Sequence, residues 1–266
     1  MPSRDLFVTR GHALLVDGVL VPVGELINHR SIAWVEDAQE VEYYHLELDT
    51  HDVLIADGAP AESFREDQIQ PPFDNRATRK PMPPVEPCAP LLHGGEQVDA
   101  IWSRLSARAG APDVALTDDP AVYLLADRLR LDPAAVEGDA WRFVLPRRVG
   151  ALRIVSRSGI PALMGLGRDQ RRLGVALRRL VLRQPGLTLE VGPDEPRLQV
   201  GFHAAEDVNG HRWTDGDALL PPDLTAAMAT GGEIALHLSL LPSYPVEEAA
   251  VHRPAGIAVR QLAAVA

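Results

Sequence analysis

Two side chains near the start of the chain have the types and spacing for acid–base work on a peptide bond: Thr9 and His12. A hydroxyl and an imidazole three residues apart across a tight bend can converge on one point, where the hydroxyl orients a peptide or a water and the imidazole shuttles a proton. A further histidine of the same stretch, His51, stands just before a second cluster of β signals. The elements that must position these groups are short. Ala13–Val16 and Val19–Val21 are apolar runs too brief for helices, and Asp17-Gly18 between them predicts a hairpin, because a type I′ turn requires positive φ at both central residues. Thr9 to Gly11 is then a bend entering that hairpin, and His12 opens its first strand. A histidine at the start of a half-buried strand is also an ordinary structural residue, so position alone leaves both readings open.

The segment DLFVTRGHALLVDGVLVP, then LINHRSI and VEYYHLELDTHDVLIADGAPAESF, resembles the C-terminal part of a bacterial Hint domain, the module shared by inteins and Hedgehog autoprocessing proteins. The resemblance implies an autoprocessing chemistry akin to protein splicing. A Cys or Ser at the domain's first position attacks the preceding peptide bond, and a Thr-x-x-His motif activates that bond. Thr9 would polarise the scissile carbonyl or hold the peptide, His12 would protonate the departing amide nitrogen, and His51 matches a later histidine of many intein-type modules. Two departures go with it. The nucleophile of such a domain lies well before the Thr-x-x-His, whereas Ser3 is the one hydroxyl ahead of Thr9 here. Splicing modules end in His-Asn, whereas this region reads Ala59-Pro60-Ala61-Glu62-Ser63. The expectation is a Hint module that does not cleave itself as the chain stands, its nucleophile missing.

Composition narrows the rest. A net charge of −11 argues against nucleic acid or anionic membrane as a partner, because phosphate binding relies on clustered Lys and Arg. No apolar run approaches bilayer length, and the start has no basic-then-apolar signal character, which leaves cytoplasmic and exported locations open. The single cysteine, Cys88, excludes a disulfide framework and a thiolate zinc site. It sits in a proline-rich stretch and reads as an incidental exposed thiol. Asp49, His51, Asp52 and His45 are metal-ligand types that alternate across strand faces, so no metal is expected, and no phosphate loop, dinucleotide fingerprint or nucleophile elbow suggests a cofactor.

Along the chain, Arg65 to Pro90 carries Pro71, Pro72, Pro81, Pro83, Pro84, Pro87 and Pro90, a density that suits an extended spacer. Val98, Ile101, Trp102 and Leu105 recur at helical steps over Glu96 to Ala109, with Gly110 and Pro112 placed to end the helix. Ala121 to Arg130 is open between helix and strand by periodicity, and LADRLRLDPAAVEGD, which alternates more like a solvated β edge, makes strand the expectation. From Trp141 on, short runs (WRFVL, ALRIVS, RRLGVALRRLVLR, LTLEV, RLQVGFHAAE, HRWTDGDALL, GEIALHLSLL) separated by Gly, Pro and Asp predict an antiparallel sandwich. The expected architecture is mainly all-β: part of a Hint domain over 1–66, a linker over 67–92, and a β-sandwich with an entry helix over 93–266.

Within the sandwich, Gly201-Phe202-His203-Ala204-Ala205-Glu206 and Arg212-Trp213-Thr214 resemble a pattern of β-sandwich modules on glycan-handling and surface proteins. Trp213, Arg212, His203 and Glu206 would form a sugar site, an indole face for the C–H side of a pyranose and polar groups for its hydroxyls. The same residues also suit a core Trp with internal ion pairs. Two functions therefore stand at this point: an autoprocessing-class Hint protein acting through Thr9, His12 and His51, or a binding protein whose sandwich takes a glycan or protein ligand.

Overall fold

The computed structural model of the chain describes residues 2–35, 45–65, 86–206, 209–227 and 230–246. These residues fall into two compact units, the first ending at Ala111 and the second beginning at Pro112. Both are built mainly from antiparallel β-strands.

The first unit contains two hairpins. Strands β1 (Ala13–Val16) and β2 (Val19–Pro22) pair with Val16 opposite Val19, and β3 (Val53–Ala56) and β4 (Ala59–Glu62) pair with Ala56 opposite Ala59. Each turn is Asp-Gly, with positive φ at Asp17 and Gly18 and again at Asp57 and Gly58. That is the backbone a two-residue hairpin on right-twisted strands needs. The hairpins join through Leu14 opposite Ala61, giving the sheet order β2-β1-β4-β3. One face meets the helix α1 (Glu96–Arg108), whose Val98 and Ile101 pack with Val19, Val21 and Leu26. The expected helix therefore forms, and its apolar stripe is used by the N-terminal hairpins. Residues 90–92 lie along β2, with the Leu20 amide donating to Pro90 and the Leu92 amide to Leu20. The proline-rich stretch at 67–92 lies largely outside the described residues, as do the residues after Val246.

The second unit stacks two antiparallel sheets on one core. The smaller has the order β14-β10-β6-β7, from β6 (Tyr123–Ala126), β7 (Leu129–Leu131), β10 (Leu152–Val155) and β14 (Asp217–Leu219). The larger runs β12-β11-β15-β9-β8, from β8 (Ala135–Glu137), β9 (Ala140–Leu145), β11 (Ala176–Gln184), β12 (Leu187–Val191) and β15 (Gly232–Ser239), with β13 (Arg212–Trp213) against the start of β11. A two-stranded pair, β5 (Leu116–Thr117) with β16 (Tyr244–Pro245), and two short helices, α2 (Pro161–Met164) and α3 (Pro222–Ala226), complete it. Leu124, Ile154, Phe143, Leu180 and Leu236, from both sheets, belong to one buried cluster. The alternation of β15 sets this up: Ile234, Leu236 and Leu238 turn inward while His237 faces out beside Arg179 and Asp139.

One segment left open by periodicity takes the expected strand form, and another departs from its sequence pattern. Ala121 to Arg130 enters a hairpin, β6 to β7, turning at Asp127 with φ +55°. The stretch RLQVGFHAAE forms turns in place of a strand, with the Phe202 amide bonded to Gln199 and single bridges Phe202–Thr214 and Glu206–His211. The reason is local. Gly201 has φ +76°, and a β-carbon there would stand 2.3 Å from the Asp217 carbonyl oxygen, a close approach only glycine permits.

Candidate functional site

The bend before β1 forms as its residues dictate: the His12 amide donates to the Thr9 carbonyl at 3.1 Å, and Thr9 Oγ1 lies 3.2 Å from His12 Nδ1. Thr9 is exposed and His12 half-buried, so the pair sits at the surface with the ring turned inward. His45 stacks on that ring with centroids 4.9 Å apart and planes tilted by 32°, and Phe64 meets His45 edge-on at 5.0 Å. The Phe64 amide donates to the Leu46 carbonyl, which fixes the segment bearing His45 beside the end of β4. Burial, reinforced by His45, pushes the His12 imidazole down to about 4, and burial lowers His45 as well. At neutral pH both rings are uncharged.

His51 occupies a different niche. Its side chain is 1% exposed, and its Nδ1 accepts a hydrogen bond from the Cys88 amide at 3.0 Å. An acceptor at Nδ1 places the proton of the neutral ring on Nε2, and that nitrogen faces Glu62 Oε2 at 3.6 Å. The other oxygen, Glu62 Oε1, accepts the Ala13 amide at 2.7 Å. The carboxylate thus faces both His51 and the backbone next to His12. Ser63 closes the arrangement: its hydroxyl accepts the Asp52 amide, and its own amide donates to the Asp52 carbonyl, which holds the start of β3 against the end of β4.

Thr9 and His12 are therefore paired directly, while His51 Nε2 faces Glu62 at 3.6 Å, beyond hydrogen-bond reach. The sequence reading missed Glu62 and the stacking role of His45. The available signal for Glu62 was a carboxylate ending the otherwise small, apolar strand Ala59-Pro60-Ala61; nothing in the local pattern marked His45. Among the described residues no group of His, Cys, Asp and Glu side chains is arranged to hold a metal ion.

Of the nucleophile types close to the hairpins, neither Ser3 nor Cys88 is hydrogen-bonded to the Thr9–His12 pair. Ser3 donates its hydroxyl to the Asp57 carbonyl at the β3–β4 turn. Glu62 stands at the opposite end of β4 from that turn, three residue steps beyond Ala59, which at ~3.4 Å each is roughly 10 Å. Cys88 has its thiol pushed up by burial and by the nearby carboxylates of Asp52 and Glu62. Iodoacetamide should accordingly alkylate Cys88 at pH 8 more slowly than it alkylates a free cysteine peptide, since only the thiolate reacts; an equal or faster rate would contradict this placement.

In the second unit, three of the four residues singled out around the sandwich have their polar groups engaged within the fold. Arg212 donates to the carbonyls of His203, Glu195 and Pro193 at 2.6, 3.0 and 3.4 Å, bracing the turns of 193–203 against β13. His203 Nε2 lies 2.7 Å from the Arg172 carbonyl. Glu206 pairs with Arg171, which also holds Asp169, and Glu206 takes Asn209 and His211 on its other oxygen. Burial opposes ionisation of Glu206, yet Arg171 and Asn209 keep its carboxyl below the usual range. Trp213 is half-buried, edge-on to His211 at 5.3 Å.

Compared with known proteins, residues 1–68 match the Hint domain family. The N-terminal region is a Hint domain, and its paired antiparallel hairpins fit that assignment. No curated protein and no solved structure matches the chain.

Proposed function

We propose that the Hint domain is the proton-handling part of an autoprocessing centre, with Thr9 and His12 acting on a peptide bond and His51 held in support by Glu62. The observation that carries this reading is the Thr9–His12 pair at 3.2 Å around an imidazole that stays neutral to about pH 4. A neutral imidazole can take the proton of an attacking thiol or hydroxyl. Once protonated, a group of such low pKa is a strong acid, ready to pass the proton to the departing amide nitrogen as the acyl group shifts from nitrogen to sulfur or oxygen. Thr9 orients the ring or the scissile carbonyl. The Ala13 amide, held by Glu62, keeps His12 in line with β1.

The reaction needs a Cys or Ser nucleophile delivered to this point. Neither Ser3, anchored at the far turn, nor Cys88, with its raised thiol pKa, meets that need, so the 266-residue chain by itself should remain intact when incubated with a thiol. The test extends the chain upstream in its own gene to the nearest in-frame Cys or Ser and reads intact mass before and after thiol addition, beside a His12→Ala version. Scission at the new residue that disappears with His12→Ala supports the reading. An extended chain that stays whole, or that splits equally well without His12, sinks it.

A further inference from the structure

The arginines of the second unit divide into two groups. Nearly all are engaged: Arg130 with Asp132, Arg142 with Glu137, Arg153 with Asp217, Arg171 with Asp169 and Glu206, Arg178 with Asp139, Arg179 with Glu190, Arg183 with Glu233 and Arg197 with Glu195. Arg157 and Arg212 donate to backbone carbonyls, Arg172 to Ser158, and Arg168 is also engaged. Among the described residues of this unit, that leaves Arg128, Arg147 and Arg148. All three line a single open groove of about 440 Å³, together with Asp127, Leu129, Pro146 and Val149.

The clustering is built into the backbone. The turn at Asp127 and the loop Pro146–Val149 are locked together by three hydrogen bonds: the Asp127 carboxylate accepts the Gly150 and Ala151 amides at 3.1 and 2.8 Å, and the Asp127 amide donates to the Ala151 carbonyl at 2.7 Å. The one carboxylate in the groove is thereby turned to the backbone. Arg148 holds φ +58°, a region that strains a side-chain-bearing residue and is tolerated where the surroundings impose it. Three arginines without an ion-pair partner thus line one groove in which Asp127 is the sole carboxylate, in a chain with 37 acidic and 26 basic residues. The donor forks of these exposed arginines are unused within the fold and open to an anionic ligand.

We propose that this groove binds an acidic saccharide, the guanidinium forks of Arg128, Arg147 and Arg148 taking its carboxylate or sulfate group. The exposed Leu129 and Pro146 beside them offer an apolar bed for the C–H face of a sugar ring. Nucleic acid suits the groove less well. No aromatic side chain lines it for base stacking, and the net charge of −11 repels a densely charged strand. The inference is independent of the Hint chemistry, since every residue it uses lies in the second unit.

The test titrates the full chain with oligogalacturonate, with a neutral maltooligosaccharide of equal length, with inorganic sulfate and with a single-stranded oligonucleotide. Binding of oligogalacturonate should weaken at least about tenfold, or ~1.4 kcal/mol, in Arg128→Ala/Arg147→Ala/Arg148→Gly, and should fall as salt is raised. The glycine at 148 keeps the backbone conformation while removing the guanidinium. Arg183→Ala, in the outward pair with Glu233, serves as the control and should bind as the parent does. Unfolding curves of the variants separate lost binding from lost structure. The proposal is overturned if oligogalacturonate does not bind, if the triple variant binds equally well, if the neutral sugar or the oligonucleotide binds as tightly, or if sulfate alone matches the oligosaccharide.

Discussion

Lowering the pH from 7 to 4 should cost the Hint domain about 3 kcal/mol of folding stability through His12 alone, and His12→Gln should remove that part of the dependence. Burial and the neighbouring His45 hold the His12 imidazole near 4 in the folded state, against an ordinary value of 6.5. Between these two values the unfolded chain binds a proton that the folded domain refuses. Stability is therefore complete above about pH 6.5, declines by roughly 1.4 kcal/mol per pH unit through the window, and levels off below about pH 4. His45, lowered by its own burial, acts with the same sign. Carboxylates also titrate at the acid end, so the informative quantity is the difference between parent and His12→Gln in chemical denaturation at each pH. Parallel curves for the two proteins would mean that His12 is not kept neutral by its site. Imidazole carbon and nitrogen shifts give the direct check: the His12 resonances should be flat from pH 7 to 5 and move only near 4.

The part of this site that could be read from sequence is the part encoded locally. Asp17-Gly18 and Asp57-Gly58 demand positive φ, so both hairpins and their registers follow from dipeptides, and the Thr9-to-His12 bend follows from the first of them. Glu62 and His45 act through pairing across the sheet and through a neighbouring segment: the Ala13 amide reaches Glu62, and Phe64 meets His45. Such partners are fixed by register and packing, which a single sequence does not display. The same limit applies in the second unit. Its sandwich is visible as alternating runs, but RLQVGFHAAE alternates too, and only the close approach of Gly201 to the Asp217 carbonyl and the bracing of the Arg212 guanidinium turn it into a looped segment. Arg128 and Arg147-Arg148 are far apart in sequence and gain meaning only because Asp127 ties their loops together.

The helix α1 shows how a correct element can acquire an unexpected partner. Its stripe states that one face is buried and says nothing of what covers it. In the fold that face closes the Hint hairpins, although the family match stops at residue 68. If α1 is part of that core, Trp102→Ala should destabilise the first unit by about 3–5 kcal/mol. The indole is 3% exposed, and its Nε1 donates to the Ile27 carbonyl at 2.9 Å, in the segment following β2. One turn on, Arg30 reaches the carbonyl and hydroxyl of Ser106, and at the hairpin tip Arg104 pairs with Asp17. Truncation to Ala loses the apolar contacts, opens a cavity and removes the indole hydrogen bond to the Ile27 carbonyl. Trp102→Phe keeps most of the volume and loses only the hydrogen bond, so it should cost about 1–3 kcal/mol. Amide exchange read on peptides covering 13–22 and 232–239 separates the two units. Trp102→Ala should accelerate exchange in β1 and β2 by orders of magnitude while β15 keeps its protection. Unchanged exchange in β1 and β2 would show that the hairpins stand without the helix, and that the Hint core ends where the family match does.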